Sequence, residues 1–224
     1  MMQNLQPDMP TIPDILVKKG LFISFEGIDG SGKSTQARLL AETLRTLGHT
    51  VLLTREPGGS AGAEEIRRLV LEGDPDRWSP ETEILLFTAA RRDHLEKTIN
   101  PALARGDIVI TDRFADSTRM YQGIRHGTGA DLRAMVDALH SLMINVEPDL
   151  TLLIDIDADL GHARAVSRAG AEQRFEDMGR DLQARLRDGF LTLARSAPRI
   201  HVINGAATPD QVAQTVLQTV QFRL

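Results

Sequence analysis

Residues Gly27-Ile28-Asp29-Gly30-Ser31-Gly32-Lys33-Ser34 spell G-x-x-x-x-G-K-[ST]. The apolar run Leu21-Phe22-Ile23-Ser24-Phe25 precedes them, and a helical pattern with Leu40, Leu44 and Leu47 on one face follows. Strand, glycine loop and helix in that order are the setting in which this pattern cradles phosphate. The glycines let backbone N–H groups curl around an anion, and the start of the helix adds its positive dipole end. Lys33 is positioned to reach terminal phosphates and the Ser34 hydroxyl to hold Mg²⁺. Gly27 through Ser34, with Thr35 next, is therefore the candidate phosphate site. The plain alternative is a chance glycine-rich turn.

The rest of the chain alternates between short apolar runs and helical periodicity. Thr50–Leu53, Ile108–Thr111, Leu150–Ile154 and Ile200–Ile203 read as further strands. Helices are expected around Ile66, Leu69 and Val70, then after Pro80 through Ile84, Leu85, Phe87 and Leu95. Another is expected over 130–146, with Leu132, Val136, Leu139 and Met143 on one face. A charged helical region spans 157–197, and Thr208-Pro209-Asp210-Gln211 is a capping box opening a last helix. Strands alternating with helices predict a three-layer α/β/α fold with a five-stranded parallel sheet, buried on both faces. In such sheets ligands bind beyond the C-terminal strand ends. The candidate functional groups fall there: the glycine loop, Arg55-Glu56-Pro57-Gly58-Gly59, Asp112-Arg113-Phe114, Asp155 with Asp157, and Asn204-Gly205-Ala206.

Composition narrows the function classes. The net charge of −5 disfavours general nucleic-acid binding, so cations for a polyphosphate must be gathered locally. There are no cysteines, which excludes a disulfide framework and a thiolate metal site and fits a reducing cytoplasm. No stretch has the apolar length of a membrane span. Residues 1–20, with Pro7, Pro10 and Pro13, read as a flexible N-terminal arm, and 21–224 as one domain. The histidines show no metal spacing; His94, His126, His140 and His162 read as structural or exposed.

The segment Asp112-Arg113-Phe114-Ala115-Asp116-Ser117-Thr118-Arg119-Met120-Tyr121-Gln122-Gly123 resembles the D-R-[YFH]-x-x-S-x-x-A-Y-Q-G signature of thymidylate kinases. Arg55-Glu56-Pro57-Gly58-Gly59 and Leu86-Phe87-Thr88-Ala89-Ala90-Arg91 are similar to bacterial members, and the resemblance runs in order from about Leu21 to the C-terminus. It implies a nucleoside monophosphate kinase domain that transfers the γ-phosphoryl group of ATP to deoxythymidine 5′-monophosphate (dTMP), with Mg²⁺, giving dTDP and ADP for dTTP biosynthesis. It also implies a homodimer through helices, with nucleotides as its small-molecule partners. Met120 departs from the usual alanine and is expected to crowd the wall beneath Tyr121.

The resemblance assigns residues as well. Phe87 stacks on thymine, Arg91 hydrogen-bonds a ring carbonyl, Thr118 meets the pyrimidine edge, and Tyr121 packs against the deoxyribose. Arg55, Arg67, Arg113, Ser117 and Gln122 complete the acceptor side. Asp29 holds the 3′-hydroxyl and an arginine, or aids the metal. Asp112 and Glu176 join Ser34 as metal candidates. The phosphate loop has no arginine of its own, so the lid, about 164–176, supplies the catalytic one, with Arg168 and Arg174 preferred. Lys33, Arg113, Arg168, Arg174 and Asp29 form the catalytic set, since phosphoryl transfer between anions is mostly positioning and charge stabilisation. Plainer readings stand beside these: a core phenylalanine at 87, an amphipathic core residue at 121, a surface pair of Arg67 with Glu64 or Asp74, and solvated arginines in the lid.

Two other functions fit parts of the pattern. A deoxynucleoside kinase would take a neutral hydroxyl as acceptor and profit from a carboxylate base, for which Glu56 is the candidate. A nucleotide-switch binding protein would need D-x-x-G after the third strand and N-K-x-D later, and neither occurs.

Overall fold

The computed structural model describes residues 20–74, 77–124, 131–167 and 180–224. The arm expected over 1–20 lies outside the described residues except for Gly20. Five strands form one parallel sheet: β1 (Phe22–Glu26), β2 (Val51–Arg55), β3 (Ile108–Asp112), β4 (Leu150–Asp155) and β5 (Ile200–Asn204), in the order β2-β3-β1-β4-β5. Each expected strand is present and runs one or two residues further toward the rim than its apolar core. β1 is central and fully buried, whereas the edge strand β2 is half-buried along most of its length and the edge strand β5 mixes half-buried, exposed and buried positions.

Alternation along β1 sorts the core into layers. Ile23 and Phe25 pack with Leu40, Ala41 and Leu44 of α1 (Lys33–Thr46) and Val212 and Val216 of the C-terminal helix (Pro209–Gln221). Phe22 points the other way, to Leu95, Ile99 and Phe114. Fully burying each such side chain stabilises the fold by ~2 kcal/mol. The C-terminal helix starts as expected: Thr208 and Gln211 cap each other's backbone N–H groups and Pro209 occupies the first turn.

Between the strands lie α2 (Ala61–Leu71), α3 (Pro80–His94), a π-helical turn (Leu95–Ile99) and α4 (Asn100–Arg105). After β3 come α5 (Ala115–Tyr121), α6 (Arg133–Leu139) and a second π-helical turn, His140–Ile144. This second turn corrects the periodic reading of 130–146. Val136 is buried as expected, but Met143 is 42% exposed while His140 and Ile144 face the core. An i→i+5 turn inserts one residue, so the buried face slips by one position. Other expected apolar positions are also exposed: Leu47 caps α1 outside its last turn, Leu69 and Leu85 face outward from α2 and α3, and Val202 lies on the edge strand β5. The charged region after β4 contains α7 (Ala158–Val166) and α8 (Arg180–Ser196). Among the described residues no helix is long and apolar enough to cross a membrane.

Register sets the site. Phe25 pairs with Asp112, and Asp112 with Arg55, so the ends of β1, β3 and β2 lie side by side at one rim.

Candidate active site

The glycine loop leaves β1 at that rim and returns into α1. A Cβ on Gly27 would lie 2.6 Å from the Ile154 carbonyl oxygen, which explains glycine there. Lys33 is buried at the first position of α1; its Nζ donates to Ile28 O at 3.1 Å and lies 3.8 Å from Asp29 Oδ1. Burial and the neighbouring Arg113 bring its ammonium down to about 8, against the pull of Asp29, Asp112 and Glu26. A phosphate in the loop would add a further negative partner.

Facing the loop, Arg113 adopts φ 71, a left-handed conformation uncommon for a residue with a Cβ. This turn sends its guanidinium back across the loop. Nη1 donates to Ser117 Oγ at 2.9 Å, and Nη2 pairs with Asp29 Oδ1. The group lies 4.7 Å over the Tyr121 ring, and Tyr121 Oη donates to Asp29 Oδ2 at 2.9 Å. Burial would raise the Asp29 carboxyl, but Arg113 and Lys33 hold it below the usual carboxylate range. Burial drives the Tyr121 phenol up, so it remains a donor.

A second cluster forms the far wall. Arg91 Nε donates to Glu56 Oε2 at 2.7 Å and Nη2 to Thr118 Oγ1 at 2.9 Å, with the guanidinium 5.0 Å over Phe114. The other Glu56 oxygen lies 3.0 Å from Nδ1 of the fully buried His94, whose Nε2 is 2.8 Å from Thr54 Oγ1. A carboxylate only accepts, so Nδ1 carries hydrogen. Burial opposes ionisation of Glu56, yet Arg91 and His94 hold its carboxyl low. Arg67 Nη1 donates to Pro57 O at 2.6 Å, and Arg55 Nη2 to Glu64 Oε2 at 3.1 Å.

Between the two walls is a cavity of about 380 Å³. Asp29, Gly30, Lys33 and Ser34 line it on the loop side. Arg55, Arg67, Phe87, Arg91, Asp112 and Arg113 line it on the opposite side, with Ser117, Thr118, Tyr121 and Gln122 along α5. Every expected acceptor-side residue therefore meets at one cavity. Gly27, Ile28, Ser31, Gly32 and Thr35 build the loop without lining it. Arg168, Arg174 and Glu176 lie outside the described residues, as does His126. The ends of β4 and β5 do not reach the cavity: Asp155 is held by Arg187 at 2.7 Å, and Asp157 caps α7. Met120 corrects another expectation. It packs against Ile28, Leu186 and Phe190, where Gly189 leaves it room, and does not line the cavity.

The residues present fit a magnesium ion. Asp112 Oδ1 is buried without a hydrogen-bond partner, and Ser34 and Asp112 both border the cavity. A hydroxyl and a carboxylate are the hard oxygen ligands that Mg²⁺ takes, the remainder coming from water and substrate phosphates.

Two groups escaped the sequence reading, Glu26 and Gln183, while His94, read as structural or exposed, proves structural. Glu26 is buried beneath the loop and accepts from Phe114 N and Ser117 Oγ. Gln183 of α8 reaches Asp29 Oδ2 at 3.4 Å. His94 supports Glu56. Only Glu26 left a signal, as an acid closing an apolar strand immediately before the loop.

A phosphate loop on the central strand of a parallel sheet, faced by arginines across a nucleotide-sized cavity, defines a P-loop phosphotransferase. Comparison with known proteins gives the family. A family model described as thymidylate kinase matches residues 25–216, and the chain belongs to that family. The thymidylate kinase of Ruegeria pomeroyi is 69% identical over 206 residues, covering 92% of this chain and 96% of its own. That of Dinoroseobacter shibae is 64% identical over 203 residues, with 90% and 97% covered. The crystal structure of thymidylate kinase from Ehrlichia chaffeensis has a TM-score of 0.71 and 38% identity, covering 90% of this chain and 98% of that one.

Proposed function

We propose that the chain transfers the γ-phosphoryl group of ATP to dTMP, giving dTDP and ADP. One observation carries this reading: a single cavity joins Lys33 and Ser34 of the phosphate loop to Arg91 and Phe87 through Arg113. A phosphate oxygen of the acceptor forms a bond to the γ-phosphorus as the bond to the β,γ-bridging oxygen breaks, and ADP departs. That oxygen is already anionic near neutral pH, so no general base is required. The difficulty is bringing two anions together, and fixed cations that need no reorganisation address it. Lys33 holds the donor's terminal phosphates. Arg113, fixed by Asp29, Ser117 and Tyr121, holds the acceptor phosphate. Phe87 and Arg91 read the base, Thr118 its edge, and Tyr121 the sugar. Arg55, Arg67 and Gln122 complete the acceptor wall.

Mg²⁺ held by Ser34 and Asp112, with Glu176 as a further ligand, would neutralise charge on the donor's phosphates. The lid over 164–176 would add Arg168 or Arg174 to the transferring group, within one kinase domain over 21–224. Cytoplasmic residence and a homodimer belong to the same proposal. The absence of cysteine agrees with the first, and exposed Leu85 and Leu142 on α3 and the second π turn support the second.

The deoxynucleoside kinase reading gains nothing from Glu56. Both its oxygens are engaged by Arg91 and His94, and its carboxyl is held low, which makes it a weak base. The deciding experiment compares thymidine with dTMP at saturating ATP and Mg²⁺, following ADP release. Phosphorylation of dTMP supports the proposal, and turnover of thymidine alone overturns it.

A further inference from the structure

Glu26 has no part in the chemistry above, yet it is a carboxyl group only 1% exposed under the phosphate loop. Its Oε1 accepts the Phe114 N–H at 2.7 Å and its Oε2 the Ser117 hydroxyl at 2.6 Å. Ser117 Oγ in turn accepts from Arg113 Nη1 at 2.9 Å. Once Glu26 is ionised, the direction of this chain is fixed: a guanidinium only donates and a carboxylate only accepts, so the Ser117 hydroxyl gives its hydrogen to Glu26 and offers lone pairs to Arg113. On the other side of the turn, Thr111 Oγ1 holds the Arg113 carbonyl at 2.9 Å. Arg113 thus sits at φ 71 between two clasps, one of which is Glu26. A residue in that region persists only where its surroundings hold it. The same clasp fixes the first turn of α5, whose Thr118, Tyr121 and Gln122 face the cavity. Lys33, by contrast, is held by Ile28 O and Asp29 and feels Glu26 only through its charge, the last of the influences on it. Glu26 does not border the cavity, so any effect on ligand must pass through these neighbours.

We propose that Glu26 is a positioning residue for the acceptor: through Ser117 it fixes the aim of Arg113, and so sets affinity for the acceptor phosphate apart from affinity for ATP. This rests on the reading of Arg113 as the acceptor-phosphate ligand. Glu26→Gln isolates the link. Its amide oxygen still accepts from Phe114, while its amide nitrogen donates toward Ser117, which reverses that one link, removes the carboxylate charge from it and frees the Ser117 hydroxyl hydrogen to turn elsewhere. Calorimetry on the full chain at pH 8.5, where Glu26 is ionised, gives Kd for dTMP alone and for ATP alone, in wild type, Glu26→Gln, Ser117→Ala and the double variant. Losing one charge-assisted hydrogen bond corresponds to about a tenfold rise in Kd for dTMP, while Kd for ATP moves under about twofold. In the Ser117→Ala background Glu26→Gln adds under about twofold, because the link is already cut. Equal weakening of both ligands, or a full tenfold loss retained without the Ser117 hydroxyl, overturns the proposal. Should Glu26→Gln not fold, Glu26→Asp keeps the charge but withdraws it: selective loss of dTMP supports the proposal and equal loss overturns it. Wild type that binds ATP but no dTMP would remove the proposed function as well, whereas normal wild-type binding without coupling removes this inference alone.

Discussion

Glu26 also makes a quantitative prediction about stability. Burial, then the nearby Asp116 charge, pushes its carboxyl from 4.5 up to about 7, against the Ser117 and Phe114 hydrogen bonds and the Arg113 charge. Lys33 also faces it. A group whose native value is raised holds its proton in the folded chain over a range where the unfolded chain has lost it. Its favourable contribution is therefore complete below about 4.5 and is lost as pH rises through about 7. At ~1.4 kcal/mol per pH decade, the loss amounts to about 3 kcal/mol between those limits. Glu26→Gln cannot titrate, and groups away from it titrate alike in both proteins, so the difference reads Glu26 together with its charged neighbours Asp116, Arg113 and Lys33. Urea unfolding of the two at a series of pH values isolates the effect. The variant should gain about 2.5 kcal/mol on wild type between pH 5 and 8.5, accruing nearly evenly from pH 5 to 7 and levelling off above. A difference that stays flat across the range would show that Glu26 ionises normally, and the argument from burial and Asp116 would fail.

Other expected outcomes follow from single contacts. Lys33→Ala should lower kcat by roughly a hundredfold or more, because it removes a fixed donor to the transferring group; single-turnover kinetics checks this. Tyr121→Ala, which empties the wall under Arg113, should narrow the preference for dTMP over its ribose counterpart by about tenfold, read as a ratio of kcat/KM values. Gly59→Ala should destabilise by ~2 kcal/mol or more, since its Cβ would lie 2.2 Å from His94 Nε2 at φ +87; thermal melting tests it.

The phosphate loop and the sheet were legible because both rest on local pattern: glycines at fixed spacing, and apolar runs closed by polar residues. The acceptor wall was legible through resemblance, which named Phe87, Arg91, Arg113, Thr118 and Tyr121 before the fold brought them to one cavity. What the sequence hid depends on neighbours distant along the chain. Glu26 looks like an ordinary strand end until β3 lies beside β1 and carries Phe114 and Ser117 over it. Glu56 looked like a candidate base until α3 placed Arg91 and His94 on its two oxygens. Met120 looked like an intrusion until Gly189 of α8 proved to leave it space. The slip from Met143 to Ile144 reflects a π turn, which no 3.6-residue period encodes.

The central claim is that fixed cations around one cavity join ATP to a thymine monophosphate. Initial rates of ADP release across dTMP, dUMP, dCMP, dAMP and dGMP, with ATP and Mg²⁺, test it most directly. The account predicts the highest kcat/KM for dTMP, with dTDP as the product. No transfer to dTMP, alongside efficient phosphorylation of another acceptor, would contradict it.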